Sequence, residues 1–293
     1  MKLEMEYLAE SARNACLMEV LSPKPGNVHQ DGEWNFTDLK VDDFVRSAYA
    51  IETVFQQIQK LSIGDFILNS IVATRSVTGT NTNLGQVLLM APIAYSFNNF
   101  RELNQKTLLC TLEKMTVQDS VVIFQAIQLA KPGGMGKTNV EDINEIPRLP
   151  FQEIMKLAAD RDSIAKQYAN GFQDIFEFSL PALEKLWIEI ENWRDAIVHL
   201  HILIMAQLPD SLIARKCGQE LAEKSAQIAA SVVEFSSDSE EYIHRLKYLD
   251  DWLRSDGNRR NPGTTADLVT ATIFIALLKR IITIPHEIES LVQ

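Results

Sequence analysis

Residues 41–58 read VDDFVRSAYAIETVFQQI and show the pattern that decides the fold. Apolar side chains return there at steps of four and three residues, at Phe44, Ala48, Ile51, Phe55 and Ile58. An α-helix completes a turn every 3.6 residues, so this spacing places all five side chains on one face. The segment therefore predicts an amphipathic helix packed against a core.

The same period recurs on both sides of this segment, whereas no series of alternating apolar and polar residues predicts a strand. Further helices are predicted over 3–21, 64–77, 84–97, 119–130, 151–169, 181–207, 211–232, 238–254, 265–281 and 285–292. The expected fold is all-α. Prolines and glycines punctuate the helices, and the stretch 131–150 is the one candidate for a linker. We predict a single helical domain over 1–293, with any subdivision near 131–150.

Composition and charge narrow the classes of function. The 293 residues are 46% hydrophobic and 23% charged, as in ordinary globular proteins, and the net charge is −11. Nucleic-acid binding needs a basic face, so we predict no nucleic-acid partner, although a local basic pocket is compatible with an acidic chain. No signal core and no apolar run of about 20 residues is found, which predicts no membrane association. Three widely spaced cysteines favour reduced thiols and a cytoplasmic location.

Two loop motifs lie in the first third of the chain. Residues 23–29, PKPGNVH, form a stiff turn from which Lys24 and His29 project as candidate phosphate ligands. Residues 78–85, TGTNTNLG, lead into an apolar helix, whose free N–H groups attract anions; Asn81 and Asn83 are candidate ligands there. The structural alternatives are a turn that ends a helix and an ordinary N-cap.

The third motif is DSLIARKCG, residues 210–218. Asp210 is a candidate metal ligand, and Arg215 with Lys216 one turn later is suited to phosphate oxygens. The alternative is a helix capped by Asp210 with solvated charges. A further cluster, Asp-Arg-Asp at 160–162, is suited to a metal or a sugar, or forms a surface ion pair.

The fourth motif is NRRNPGTTADL, residues 258–268. Arg259 and Arg260 are candidate phosphate ligands, and Asp267 is a candidate for metal or ribose. The structural alternative is that Thr264 and Asp267 form a capping box at the start of the next helix.

In this order the motifs resemble the triphosphoribosyl-dephospho-CoA synthase family. The similar elements are Pro-Lys-Pro-Gly at 23–26, the Gly and Asn-Thr segment at 78–85, Asp-Ser to Arg and Gly at 210–218, and Pro-Gly-Thr-Thr-Ala-Asp-Leu at 262–268. The resemblance spans most of the chain. The sequence departs from the family's pattern at Asn83-Leu84, where the family has His-Lys, and after His29, where an Asp-rich stretch of the family is replaced.

The resemblance implies an all-helical transferase that moves a triphosphoribosyl group from ATP to the 2′-hydroxyl of dephospho-CoA and releases adenine. It implies Mg²⁺ as the ion that accompanies ATP. The carboxylates available as base or charge stabiliser are then Asp31, Asp38 and Asp267, and those available to the metal are Asp210 and Asp267. Lys24, His29, Arg215, Lys216, Arg259 and Arg260 would serve the phosphates, and Asn81 and Asn83 the ribose or phosphates.

Two other functions stay open at this point. One is a related ribosyl or phosphoribosyl transferase with another acceptor, such as a tetrahydromethanopterin-type precursor, which the change at Asn83-Leu84 permits. The other is a nucleotide-binding protein of the same fold without catalysis, against which the several carboxylates in the loop motifs argue. The oligomeric state is also open, a homo-oligomer included.

Overall fold

The computed structural model describes residues 2–29, 40–133 and 141–290, and within these ranges it contains helices and no strand. This confirms the predicted all-α fold. The α-helices are α1 (Lys2–Val20), α2 (Val41–Phe55), α3 (Ile63–Val77), α4 (Leu84–Phe100), α5 (Gln105–Leu112), α6 (Val117–Ala130), α7 (Phe151–Lys156), α8 (Ser163–Asn170), α9 (Leu180–Glu189), α10 (Trp193–Gln207), α11 (Ser211–Cys217), α12 (Gln219–Val233), α13 (Glu240–Arg254), α14 (Gly263–Leu278) and α15 (His286–Ser290).

Three predicted helices are each divided in two, and each division has a local cause. Gly218 adopts a φ of 96°, which separates α11 from α12 and suits only glycine. Asp162 accepts the N–H groups of Ile164 and Ala165 and so starts α8 apart from α7. Asn192 caps α10 in the same manner and separates it from α9. Apolar periodicity continues across these breaks, so the periodic pattern alone predicted single helices.

The centre of the fold is α14, which is buried along almost its whole length. It packs against α1, α4, α9 and α10. A helix that is apolar on every side is stable only when other elements surround it. The start of α14 therefore has a fixed position in the molecule. The main core around α14 also includes Ala130 and Phe151, one on either side of the stretch 131–150.

A second, smaller core joins α10, α11, α12 and α13. It holds the loop that follows α1. Asp250 of α13 accepts the N–H of Gly26 at 2.7 Å, and Arg254 donates to the carbonyl of Asn27 at 2.7 Å. Gly26 has a φ of 70°, and a Cβ there would lie 2.8 Å from Leu253. This loop is therefore fixed against α13 through its backbone.

In the part of the chain that the structure describes, no single helix has the length and apolar character needed to cross a membrane. By length and composition alone, α10 and α11 together would meet this requirement, as a pair of helices bent by 60°.

Candidate active site

A cavity of about 1040 Å³ opens where three helices begin. Leu84 of α4, Ile164 of α8 and Gly263 of α14 lie on its wall, each in the first turn of its helix. The first N–H groups of a helix have no partner within that helix and carry a partial positive charge. At α8 and α14 these groups already have acceptors in Asp162, Ser211 and Asp210, so the start of α4 is the helix end on this cavity that best suits a negatively charged ligand.

Asp267 lies on the cavity wall, about one turn into α14. Its carboxyl group packs directly against Gly85 in the first turn of α4. A Cβ placed on Gly85 would lie 2.0 Å from Oδ2 of Asp267, which is far inside van der Waals contact. Glycine is therefore the residue that lets the start of α4 meet this carboxyl group.

The predicted capping box of Thr264 and Asp267 is not formed, because α14 begins without a side-chain cap of its own. The N–H and Oγ1 of Thr265 instead donate to Oδ2 of Asp210, at 2.7 and 2.8 Å. Because a residue from another segment caps this helix, the carboxyl group of Asp267 is left facing the cavity.

The pKa of Asp267 lies well above its usual value. Burial is the largest cause, and the negative charges of Glu19 and Asp210 add to it, while Arg215 opposes the shift. Desolvation and neighbouring like charges both disfavour an ionised carboxylate. A carboxyl group in a cleft whose ionisation is hindered in this way is typical of a functional site.

Glu19, in the last turn of α1, also lines the cavity. It is only 4% exposed and forms an ion pair with Lys24 at 3.0 Å. Gln86 donates to its Oε2 at 3.4 Å and to Oγ1 of Thr270 at 3.0 Å. The carboxylate of Glu19 is therefore anchored from two sides.

The prediction that Lys24 contacts phosphate is not supported by its position. Lys24 is fully buried, and its Nζ donates to the carbonyl oxygens of Glu19 and Ser22 as well as to the Glu19 carboxylate. An ammonium group has three N–H donors, and three acceptors surround this one. Burial lowers the pKa of Lys24, and Glu19 opposes that shift. Lys24 therefore acts on the cavity through Glu19.

Asp210 was predicted to bind a metal, and the structure contradicts this assignment. Its Oδ1 accepts the N–H groups of Leu212 and Ile213 at 2.8 and 3.0 Å, which caps α11. Its Oδ2 accepts the two bonds from Thr265, so each oxygen already has two donors. Asp210 is 1% exposed, and it does not line the cavity. Burial raises its pKa, while these hydrogen bonds oppose the shift.

We expect Asp210→Asn to destabilise the fold by about 1–3 kcal/mol, since an amide nitrogen turned toward either pair of donors leaves them unsatisfied. Urea denaturation measures the free energy of unfolding. The matched control is Asp251→Asn on the exposed face of α13, which we expect to change stability by less than about 0.5 kcal/mol. Equal stability of the two variants would contradict the capping role of Asp210.

The cations of the third motif do reach the cavity. Arg215 and Lys216 line it, and Arg215 forms a close ion pair with Asp162, the N-cap residue of α8. The side chain of Arg215 is 29% exposed, so part of its guanidinium group faces the open space. Both residues remain candidate phosphate ligands.

The two arginines of the fourth motif, in contrast, point elsewhere. Arg259 donates to the carbonyl of Lys216 at 3.0 Å, and Arg260 stacks over Trp252 at 4.4 Å. Arg260 also donates to the carbonyl of Trp252 at 2.9 Å. Neither side chain is on the cavity wall, so the structure does not bring them to the predicted phosphate site. They hold the loop between α13 and α14.

Of the remaining candidates, Asn81 and Asn83 line the cavity. Asn81 accepts the N–H of Leu84 at 3.2 Å, and Asn83 donates to Thr74 at 3.0 Å. Their role toward a ligand stays a prediction. His29 is half-buried beside the loop and is not part of the cavity wall. Asp31 and Asp38 lie outside the described residues.

Glu19, Asn27 and Asn261 are among the residues of the cavity lining that sequence reasoning missed. Nδ2 of Asn27 and Oδ1 of Asn261 are buried without a hydrogen-bond partner among the described atoms. No periodicity or charge pattern marks an asparagine. Glu19 did carry a signal, since the helix dipole disfavours an acidic residue in a last turn.

Comparisons with known proteins concern the family and the fold of the chain. The model of the CitG family, ATP:dephospho-CoA triphosphoribosyl transferase, matches residues 5–284 and confirms the family predicted from the four motifs. A crystal structure provisionally described as a triphosphoribosyl-dephospho-CoA synthase from Archaeoglobus fulgidus shares the fold, with 24% identity, a TM-score of 0.61 and coverage of 80% of this chain and 97% of that one. A search of curated proteins found no match. Because the family match extends over nearly the whole sequence, the chain belongs to the ATP:dephospho-CoA triphosphoribosyl transferase family.

Proposed function

We propose that the cavity binds ATP and dephospho-CoA together and transfers the triphosphoribosyl group of ATP to the 2′-hydroxyl of dephospho-CoA, with release of adenine. One observation carries the assignment of the reaction to this cavity. The start of α4, the cations Arg215 and Lys216, and a carboxyl group with a raised pKa all line this cavity. Anion binding and proton transfer are the two things that this reaction needs.

The size of the cavity supports binding of both substrates. Pockets for a single small molecule usually measure about 300–1,000 Å³. This one measures about 1040 Å³ and is open on one side, so it provides room for a second nucleotide beside ATP.

We assign the triphosphate to the side of the cavity where Arg215 and Lys216 lie. An arginine offers five N–H donors in a fixed plane, so Arg215 can hold Asp162 and a phosphate oxygen at the same time. Charge on the triphosphate would thus be met by fixed donors.

A metal site built by the two predicted ligands does not fit the donors present. Asp210 has no acceptor position left, which leaves Asp267 alone. Residues 2–29, 40–133 and 141–290 contain no group of three or more His, Cys, Asp or Glu side chains placed to hold a metal ion. Mg²⁺ is commonly held by substrate phosphates and water. We therefore propose that Mg²⁺ enters as the MgATP complex, as part of the substrate.

We expect Arg215→Gln to raise KM for ATP by about 10- to 100-fold, since a hydrogen bond to a charged group contributes about 1.5–3 kcal/mol. Steady-state kinetics with varied MgATP measures the change. Arg245→Gln is the matched control, because that arginine pairs with Glu241 on the surface of α13. If Asp162→Asn raised KM equally, Arg215 would act only by holding α8.

The proposed reaction is tested by incubating the purified protein with MgATP and dephospho-CoA. We expect free adenine and a product whose mass exceeds that of dephospho-CoA by one triphosphoribosyl unit. Adenine release that requires a different acceptor would overturn the assignment of dephospho-CoA. Binding of ATP without turnover under any of these conditions would overturn the catalytic assignment.

A further inference from the structure

We propose that Glu19 and Asp267 form a catalytic pair in which Asp267 donates a proton to the departing adenine while Glu19, paired with Lys24, faces the reacting sugar carbon. This inference rests on the proposed function and deepens it. Glu19 belongs to none of the four sequence motifs. Its assignment comes from its place on the cavity wall.

Glu19 has a fixed position in the cavity. It lies on the same wall as Asp267, and Lys24 and Gln86 each anchor one of its two oxygens. A buried carboxylate is stable only if it is paired, and the fully buried Lys24 provides that pairing. Lys24 has no exposed surface of its own, so its charge serves Glu19 and no ligand. Of this ion pair, Glu19 is the member that lines the cavity, and its carboxylate is held in a fixed position there.

Asp267 differs from its neighbours in its hydrogen bonding. Within the part of the chain that the structure describes, no hydrogen bond fixes its carboxyl group, in contrast to Glu19, Asp162 and Asp210, whose oxygens are all engaged. The charged groups that act on it are Glu19 from α1, Asp210 and Arg215 at α11, and Asp162 at the start of α8. Three of these four are negative, and they favour the protonated form. These surroundings, together with its place on the cavity lining, suit Asp267 to the role of proton donor.

Two carboxyl groups with opposite charge states are what displacement at a sugar carbon requires. Glycoside hydrolysis uses a protonated acid for the leaving group and an ionised partner for the other side of the reaction. The general rule is that neighbouring titratable groups take different roles when their surroundings separate their pKa values. Here burial and neighbouring negative charges raise the pKa of Asp267, whereas Glu19 forms an ion pair with Lys24.

The oxygen of the acceptor hydroxyl forms a bond to C1′ of the ATP ribose, while the bond from C1′ to N9 of adenine breaks and its electron pair leaves with the base. Adenine takes the proton of Asp267. The negative charge of Glu19 stabilises the positive charge that develops at C1′, and Glu19 receives the proton of the hydroxyl group. Water in the cavity returns that proton to Asp267.

The proton donor is tested with two substrates that differ in the leaving base, ATP and 6-chloropurine riboside 5′-triphosphate. The chlorinated base is less basic and departs with less help from an acid. We expect Asp267→Asn to lower kcat on ATP by about 10²- to 10⁴-fold, and this defect to shrink by at least about tenfold with the chloropurine substrate. An equal defect on both substrates would overturn proton donation by Asp267.

The role of Glu19 is tested with Glu19→Gln and with the double variant Glu19→Gln/Lys24→Met. The double variant removes both charges, so it leaves no unpaired ammonium group buried if the single variant fails to fold. We expect kcat to fall by about 100-fold or more on both substrates, with little change in KM for ATP, because the charge acts only in the transition state. Wild-type kcat in the folded double variant would overturn the role of Glu19.

These outcomes are distinct from failure of the proposed function. If the wild-type protein released no adenine in the presence of dephospho-CoA, the reaction itself would be wrong. If the wild-type protein turned over both substrates but the defect of Asp267→Asn were equal on both, or the folded Glu19 double variant kept wild-type kcat, only the division of roles would be wrong.

Discussion

Asp267→Asn is expected to lower kcat/KM for ATP by about 10²- to 10⁴-fold, the range that general acid catalysis contributes. Asparagine has nearly the same shape, so it fits beside Gly85, but its amide group is not acidic enough to protonate adenine. The measurement is the rate of adenine release at saturating dephospho-CoA. Asp251→Asn on the surface of α13 is the control for the same chemical change. Activity of Asp267→Asn within a few-fold of wild type would contradict a catalytic role.

The same variant is expected to be more stable than the wild type at pH 7. The pKa of Asp267 is raised in the folded state, so the folded protein binds this proton more tightly than the unfolded chain does. As the pH rises above the unfolded value of about 4, ionising this carboxyl group lowers the free energy of unfolding of the wild type. Asparagine carries no charge and avoids that loss.

Urea denaturation at several pH values measures this second effect. We expect the stability advantage of Asp267→Asn to grow from pH 4 toward pH 7 in the absence of ligands. A variant that gains stability and loses activity would show that the wild-type carboxyl group is kept for chemistry at a cost to the fold. A pH-independent difference would mean that Asp267 ionises as easily in the folded protein as in the unfolded chain.

Gly85→Ala is expected to produce the second large loss, of about 100-fold or more in kcat/KM, because misplacement of a catalytic group by about 1 Å costs this much. The added Cβ would lie 2.0 Å from Oδ2 of Asp267, so the carboxyl group must move. Alanine is at the same time a better helix former than glycine by about 0.5–1 kcal/mol. The loss of activity is therefore not expected to reflect a weaker α4.

The control for this prediction is Gly79→Ala, where an added Cβ meets no atom within 4 Å. We expect it to keep most of the wild-type activity. Circular dichroism and urea denaturation verify that both variants are folded. If Gly85→Ala were as active as Gly79→Ala, the contact of α4 with Asp267 would have no role in catalysis.

Much of the fold could be predicted from the sequence because apolar periodicity reports directly which face of a helix is buried. The segment 41–58 illustrates this, since Ala48, Ile51 and Phe55 are all buried where the period placed them. The breaks inside the predicted helices were harder to find. A single residue such as Gly218 or Asp162 ends or starts a helix, and its effect on the period is too small to detect.

The site was only partly predictable, for a different reason. Residue type identifies what a side chain can do, but not which partner it has. Asp210 and Asp267 have the same chemistry, and both were predicted as metal ligands. Among the described residues, four hydrogen bonds reach Asp210 and none reaches the carboxyl group of Asp267, so only the second is open to a substrate. The ion pair of Lys24 and Glu19 could not be predicted for the same reason, since only the fold shows that both side chains are buried together.

The double attachment of Asp210 has a consequence for motion. One carboxylate joins the start of α11 to the start of α14, which couples the positions of these two helices. Arg215 belongs to the first helix and Asp267 to the second. We therefore expect the distance between the group that would hold the triphosphate and the group that would release adenine to change little while substrates enter and leave.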